Sequence, residues 1–198
     1  MRRRANQEKG FTLLEAVVVI GIMMVLAGIA IFQSFGSTAS YQANSAMDTV
    51  VSQLRVAREL AITQRTNVQV IFISNGATQQ VQYMVLAQPG SGTANGPLVS
   101  TDLPRQTTFM LTPGVPDTPM NFGKSAPIYI GNVSGGPAFM EFNSTGQFTD
   151  NTGFNTLNGT VFIGVQGQTS TAMARAVTIM GGTGRVRPYA YTGNTWIE

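Results

Sequence analysis

Few side chains in this sequence have the types and spacing to do chemistry. There is neither cysteine nor histidine among the 198 residues, which removes the usual nucleophile–base pairings and the commonest zinc ligands. The carboxylates Asp102, Asp117, Glu141 and Asp150 lie in separate segments, with no spacing that brings two together for acid–base work. Asp150-Asn151, with Asn143 and Asn155, offers oxygen ligands, but one carboxylate does not make a calcium loop. The glycine-rich run from Gly90 to Gly96 matches neither phosphate-cradle fingerprint, and no lysine or helix follows it. The chain is therefore read as a non-enzyme, with no catalytic site, no metal and no cofactor expected.

Two constellations remain. In Gly184-Arg185-Val186-Arg187-Pro188-Tyr189-Ala190-Tyr191, a strand period of two places Arg185, Arg187, Tyr189 and Tyr191 on one face and Val186 and Ala190 on the other. Guanidinium groups for phosphates beside rings for stacking is the combination that backbone-directed or single-strand nucleic-acid binding uses. The competing reading is a surface strand with solvated arginines, in which Pro188 removes a ladder donor and confines the strand to an edge.

The second constellation is one charge in an apolar run. From Phe11 to Phe32 the only ionisable side chain is Glu15, and a helix of that length at ~1.5 Å per residue spans a hydrocarbon layer of ~30 Å. A carboxylate in such a span needs a cation. Cleavage after Gly10 creates one, the α-amino group of Phe11, in the same chain or in a neighbour one step along a fibre. An ordinary signal peptide fits poorly, because small residues follow the run only loosely at Gly36-Ser37-Thr38-Ala39-Ser40.

The elements that must position these residues are legible in outline. Arg2, Arg3, Arg4 and Lys9 against Glu8 carry the whole net charge of +3, and the chain from Phe11 onward is neutral. The basic leader is thereby expected on the cytoplasmic side. Gln33 to Ser45 is a small, polar stretch where the helix is expected to loosen. From Ala46 to about Thr66 a helical period returns. Met47, Val50, Val51, Leu54, Ala57 and Ala61 lie on one face, and Asp48, Ser52, Arg55 and Glu59 on the other. Arg55 and Glu59, four apart, are placed to support each other.

Beyond Asn67 the pattern is of strands. Val68–Ile73 and Val81–Leu86 read as a hairpin across Ser74-Asn75-Gly76, with Gln88 to Pro104 a polar loop. Further strands are expected at Thr107–Leu111, Ile128–Val133, Ala138–Phe142, Thr160–Val165, Ala174–Met180 and Gly184–Tyr191. The fold class is α+β: a long N-terminal helix, half transmembrane and half amphipathic, packed on an antiparallel β-rich head. The expected divisions are a leader at 1–10, a transmembrane and fibre-core helix at 11–32, its amphipathic continuation at 33–66, and the head at 67–198. Without cysteine the head relies on its core and on assembly for stability.

Gly10-Phe11-Thr12-Leu13-Leu14-Glu15 after a basic leader resembles the processing motif of type IV prepilins and type II secretion pseudopilins. The resemblance implies cleavage between Gly10 and Phe11 by a prepilin peptidase, N-methylation of Phe11, and subunit packing guided by Glu15. Leu54 to Ile62 and Phe139 to Gly146 further resemble the FimT and GspH branch of minor pilins and pseudopilins. Gly184-Arg185-Val186-Arg187 resembles a DNA-contact motif of FimT-like pilins, which implies DNA contact through Arg185 and Arg187. The implied partners are other pilins or pseudopilins, the peptidase, the bacterial inner membrane and DNA. In the alternative, a GspH-like pseudopilin acting in protein export, secreted proteins take the place of DNA. The implied location is the inner membrane, with the head periplasmic or exported, and the assembled fibre.

Overall fold

The architecture is that of a computed structural model, which describes residues 12–76, 78–86, 99–131, 133–134, 140–150, 152 and 154–198, with backbone alone at 30–37 and 133–134. The chain divides into two compact units, Met1–Thr38 and Ala39–Glu198.

Helix α1 spans Leu13–Gln64. The small, polar stretch from Gln33 to Ser45 does not interrupt its helical backbone, contrary to the loosening its composition suggests. In the first unit, every described side chain from Thr12 to Ile29 is exposed, the large apolar ones by 41 to 84%. Among the described residues no helix is long and apolar enough to cross a membrane. The described helical side chains Leu13 to Ile29 cover ~26 Å at ~1.5 Å per residue; the side chains of Ala30, Ile31 and Phe32, which complete the apolar run, lie outside the described residues.

In the second unit α1 buries one stripe: Ala39, Ala43, Ala46, Val50, Val51, Leu54, Ala57 and Ala61, with Met47 partly covered. Spacings of three and four put these on one face, and their small side chains let the helix approach the strands closely. The helix ends in a Schellman motif. Arg65 takes φ 51°, the Thr66 amide donates to the Ala61 carbonyl at 3.2 Å, and the Arg65 amide donates to Ile62 at 3.3 Å.

Two antiparallel sheets receive the stripe. The first has the order β3 (Val99–Asp102), β2 (Thr78–Val85), β1 (Val68–Asn75), β7 (Met140–Phe142) and β8 (Phe148–Asp150). The second runs β12 (Trp196–Ile197), β11 (Arg185–Tyr191), β10 (Arg175–Met180), β9 (Gly159–Val165), β5 (Ile128–Ile130) and β6 (Val133–Ser134), and β4 (Thr107–Phe109) also pairs with β9. Val68, Val70, Met140 and Phe142 from one sheet and Val161, Ile163, Val177, Ile179 and Val186 from the other share a core with the helix. The opposite face of the second sheet is covered too. Phe162, Ala176, Tyr189, Tyr191 and Trp196 pack with Val115, Leu111 and Met120 of the segment after β4. All seven residues of β9 are therefore buried, as a central strand covered on both faces requires.

The hairpin, β9, β10 and β11 lie where their patterns place them. Other expectations are corrected. Val99–Asp102, read as part of a polar loop, is an edge strand on β2, paired through Gln80↔Asp102 to Tyr83↔Val99. The expected strand Ile128–Val133 is split by Gly131 at φ 63°, which folds β5 back on β6. Phe148–Asp150 and Trp196–Ile197 are additional strands. Ala138 and Phe139 lie outside the described residues.

Candidate functional site

At the N-terminal end, Gly10 and Phe11 lie outside the described residues. Glu15 is exposed in the first turn of α1, and its amide donates to the Thr12 Oγ1 at 3.2 Å. Thr12-Leu13-Leu14-Glu15 thus has the spacing of a capping box, with Thr12 as N-cap and Glu15 at N3. A carboxylate at this position also complements the positive end of the helix dipole. The Thr-x-x-Glu spacing was present in the sequence, and the observed half of the box is the Glu15 amide on Thr12 Oγ1.

In the head, β11 is positioned by the tight turn from Met180 to Arg185. The Gly184 amide donates to the Met180 carbonyl at 2.7 Å, and Gly184 has φ 61°. A Cβ there would stand 1.9 Å from the Gly146 carbonyl oxygen and 2.8 Å from Arg58 Nε. Gly146, at φ 79°, turns between β7 and β8, and its carbonyl accepts a hydrogen bond from Arg58 Nε at 3.1 Å. Two glycine turns, one from each sheet, thus close on one arginine of the helix.

Arg185, the first residue after this joint, is exposed. It lines a groove of about 660 Å³ with Arg55, Arg58 and Glu59 of α1 and Thr183 and Gly184 of the turn. Among the described residues no ion pair joins Glu59 to Arg55, so the support expected from their four-residue spacing is not realised. The groove brings three guanidinium groups together against one carboxylate. Residues 55 and 58 are separated from 185 by nearly the whole head, and no local spacing in the sequence announces their meeting.

The other members of the predicted stripe are placed differently. Arg187 is 27% exposed at its side chain, its Nη1 lies 3.4 Å from Glu198 Oε2, and its Nε is buried without a hydrogen-bond partner. Hydrogen bonding to Tyr189, with the charge of Glu198 beside it, favours its charged form. Tyr189 and Tyr191 are only 4% and 7% exposed. The Tyr191 ring lies 5.1 Å from that of Trp196. The expected stacking of bases on these two rings is corrected on that ground: their faces are already occupied by the second core. Pro188 is compatible with its strand because β12 pairs with Ala190 and Tyr191, and among the described residues the stretch 185–189 has β10 as its one strand neighbour.

Of the described acidic residues, Asp150 and Glu141 are engaged in local contacts. Both oxygens of Asp150 are taken up within its own turn, by the Thr152 amide and hydroxyl and by Asn155 Nδ2 at 2.7 Å. The Thr152 hydroxyl foremost holds this carboxyl below its ordinary range. Among the described residues no cluster of ligating side chains could hold a metal ion. Glu141 is buried and accepts a hydrogen bond from Asn67 Nδ2 at 2.6 Å, just beyond the helix end. Arg175, 5% exposed, clamps β10 to the helix. Its Nε donates to Asn44 Oδ1 at 2.7 Å, Nη2 to Ser40 Oγ at 3.3 Å, and Nη1 to the carbonyls of Ala172 and Ala174, both at 2.9 Å. Burial lowers its pKa.

Residues 5–31 match the family model described as the prokaryotic N-terminal methylation motif. The resemblance to type IV prepilins and pseudopilins therefore holds over the N-terminal segment. No curated protein matches the chain. Among solved structures, the chain is similar to the type IV minor pilin FimU of Pseudomonas aeruginosa, at 18% identity over 80% of this chain and 94% of that one, TM-score 0.49. It is also similar to the minor pseudopilin EpsH of the Vibrio cholerae type II secretion system, at 15% identity over 75% and 97%, TM-score 0.45. At these scores neither likeness carries weight in assigning the head.

Proposed function

We propose that this chain is a minor subunit of a type IV pilus or a type II secretion fibre, cut between Gly10 and Phe11, methylated on Phe11 and assembled through α1. The observation that supports it is a matched methylation motif running into a helix whose described side chains from Thr12 to Ile29 are all exposed. A helix apolar all round is at rest only in lipid or among other helices. An inner-membrane precursor with a cytoplasmic leader supplies the first setting, and a fibre core of neighbouring subunits the second. Once the leader is cut, Glu15 meets the α-amino group of a Phe11, in its own chain or in a neighbour of the fibre. The partners are then the prepilin peptidase, the inner membrane and other pilins or pseudopilins.

Processing is tested directly. Gly10→Val is expected to leave residues 1–10 attached when the chain is expressed with a prepilin peptidase and its N-terminus read by mass spectrometry. A mature chain still beginning at Phe11 would overturn the assignment.

The finer reading is a FimT-like head that contacts DNA during uptake. The exposed Arg185 beside Arg55 and Arg58 supports it. The competing reading, a GspH-like subunit in protein export, shares the processing and assembly, meets secreted proteins or other pseudopilins, and binds no DNA. Duplex binding by the full chain favours the first; co-purification with pseudopilins and no DNA binding favours the second.

A further inference from the structure

We propose that the phosphodiester-binding element of the head is the groove walled by Arg55, Arg58 and Arg185, with Arg187 outside it, and that it holds the backbone of duplex DNA without reading bases. The proposal rests on the DNA-contact reading and replaces the stripe of two arginines and two tyrosines as its chemistry.

Four observations carry it. The volume of about 660 Å³ falls within the ~300–1,000 Å³ of ordinary ligand sites. Its cations stand on two different elements: Arg55 and Arg58 one turn apart on α1, and Arg185 across the groove at the start of β11. Guanidinium forks pair bidentately with phosphate oxygens, and cations spread along a groove suit successive phosphates of a chain better than a single carboxylate. Arg58 is held in place: its Nε–H is committed to the Gly146 carbonyl, which leaves the terminal nitrogens of its fork for a ligand. Glu59 lines the same groove but forms no ion pair with the three arginines among the described residues, so three cations against one carboxylate leave the groove net positive.

The absence of base readout follows from the rings. Tyr189 and Tyr191 belong to the second core, so the stacking platform that single-strand binders use is not offered by β11. Contacts confined to phosphates position a duplex but carry no sequence information. Arg187 is already 3.4 Å from Glu198 and contributes little to the field over the groove.

The test uses the full chain in a neutral detergent with two fluorescein-labelled duplexes of unrelated sequence, titrated between 50 and 200 mM salt. Each phosphate contact contributes ~0.9 to the slope of log affinity against log salt on duplex DNA. Arg55→Ala with Arg185→Ala is expected to lower that slope by ~1.8, so that wild type loses about 12-fold more affinity than the variant across the range. Arg187→Ala is expected to leave the slope unchanged, and both duplexes to bind alike. The basic leader is common to all variants, so the difference in slope reads the head alone. Arg55 and Arg185 are exposed, and their removal leaves the core intact. If Arg187→Ala lowers the slope and the double variant does not, the groove is overturned while DNA contact stands. Equal slopes in all three proteins, or no binding by wild type at 50 mM salt, overturn both. Labelled poly-glutamate bound in place of the duplex overturns the phosphodiester assignment.

Discussion

Replacing Gly184 by alanine tests the joint that aims Arg185. Two costs are separable. At φ 61° a non-glycine residue is worse off by ~1–2 kcal/mol. The added Cβ would stand 1.9 Å from the Gly146 carbonyl oxygen, where 3.0 Å is the closest real approach. The two turns must therefore separate by about 1 Å. That movement breaks or stretches the Arg58–Gly146 hydrogen bond of 3.1 Å, and a hydrogen bond from a charged donor contributes ~1.5–3 kcal/mol.

Together the loss is ~2.5–5 kcal/mol, a fall in Tm of roughly 5–20 °C for a chain of this size. Two comparators isolate the terms. Gly76 has φ 53° and open space around its Cβ position, so Gly76→Ala is expected to lose only the ~1–2 kcal/mol of backbone strain. Gly182 has open space and no positive φ, and Gly182→Ala is expected to be neutral or slightly stabilising through the unfolded chain. The assay is thermal unfolding of the three variants in the same detergent, followed by near-ultraviolet circular dichroism. A Gly184→Ala protein that melts with Gly76→Ala would refute the close packing of the two turns. It would also return the glycine of Gly184-Arg185-Val186-Arg187 to the role of a mere turn former.

Other consequences follow from single side chains. Glu15→Ala is expected to leave membrane insertion intact and to lower incorporation into fibres, scored by subunit recovery in sheared fibre fractions; undiminished incorporation removes the charge-pairing role. Arg175→Lys keeps a cation but cannot bond Asn44, Ser40 and two carbonyls with one nitrogen. It is expected to cost ~1–3 kcal/mol for the groups left unpaired, seen as a Tm lowered by roughly 2–12 °C; an unchanged melt would show that the clamp is dispensable.

Much of the fold was legible because one periodicity dominated each segment. The apolar residues from Met47 to Ala61 repeat at three and four, and nothing but a helix puts them on one face. Val68–Ile73 and Val81–Leu86 flank a turn centred on Asn75 and Gly76. The strands that escaped notice lack such a signal. Val99-Ser100-Thr101-Asp102 has a single apolar residue and is a strand because β2 offers it an edge, with Gln80 Nε2 donating to Asp102 Oδ1 at 2.6 Å. Trp196-Ile197 is two residues long and owes its place to pairing with Ala190 and Tyr191.

The site divided along the same line. The methylation motif, the apolar run and the lone carboxylate are contiguous in the chain, so the charge in need of a cation could be read from spacing, and the resemblance to prepilins implied the leader and the cleavage between Gly10 and Phe11. The face of β11 was also readable, since strand geometry alone alternates its side chains. Whether that face meets water was not, because the segment carrying Leu111, Val115 and Met120 that covers Tyr189 and Tyr191 is some seventy residues away and folds onto them only in three dimensions. The meeting of Arg55, Arg58 and Arg185 has the same character. The sequence by itself determined which residues carry charge and which elements bear them. Only the tertiary structure decided which charges share a groove, because that depends on two glycine turns closing on one arginine of a helix distant from both in sequence.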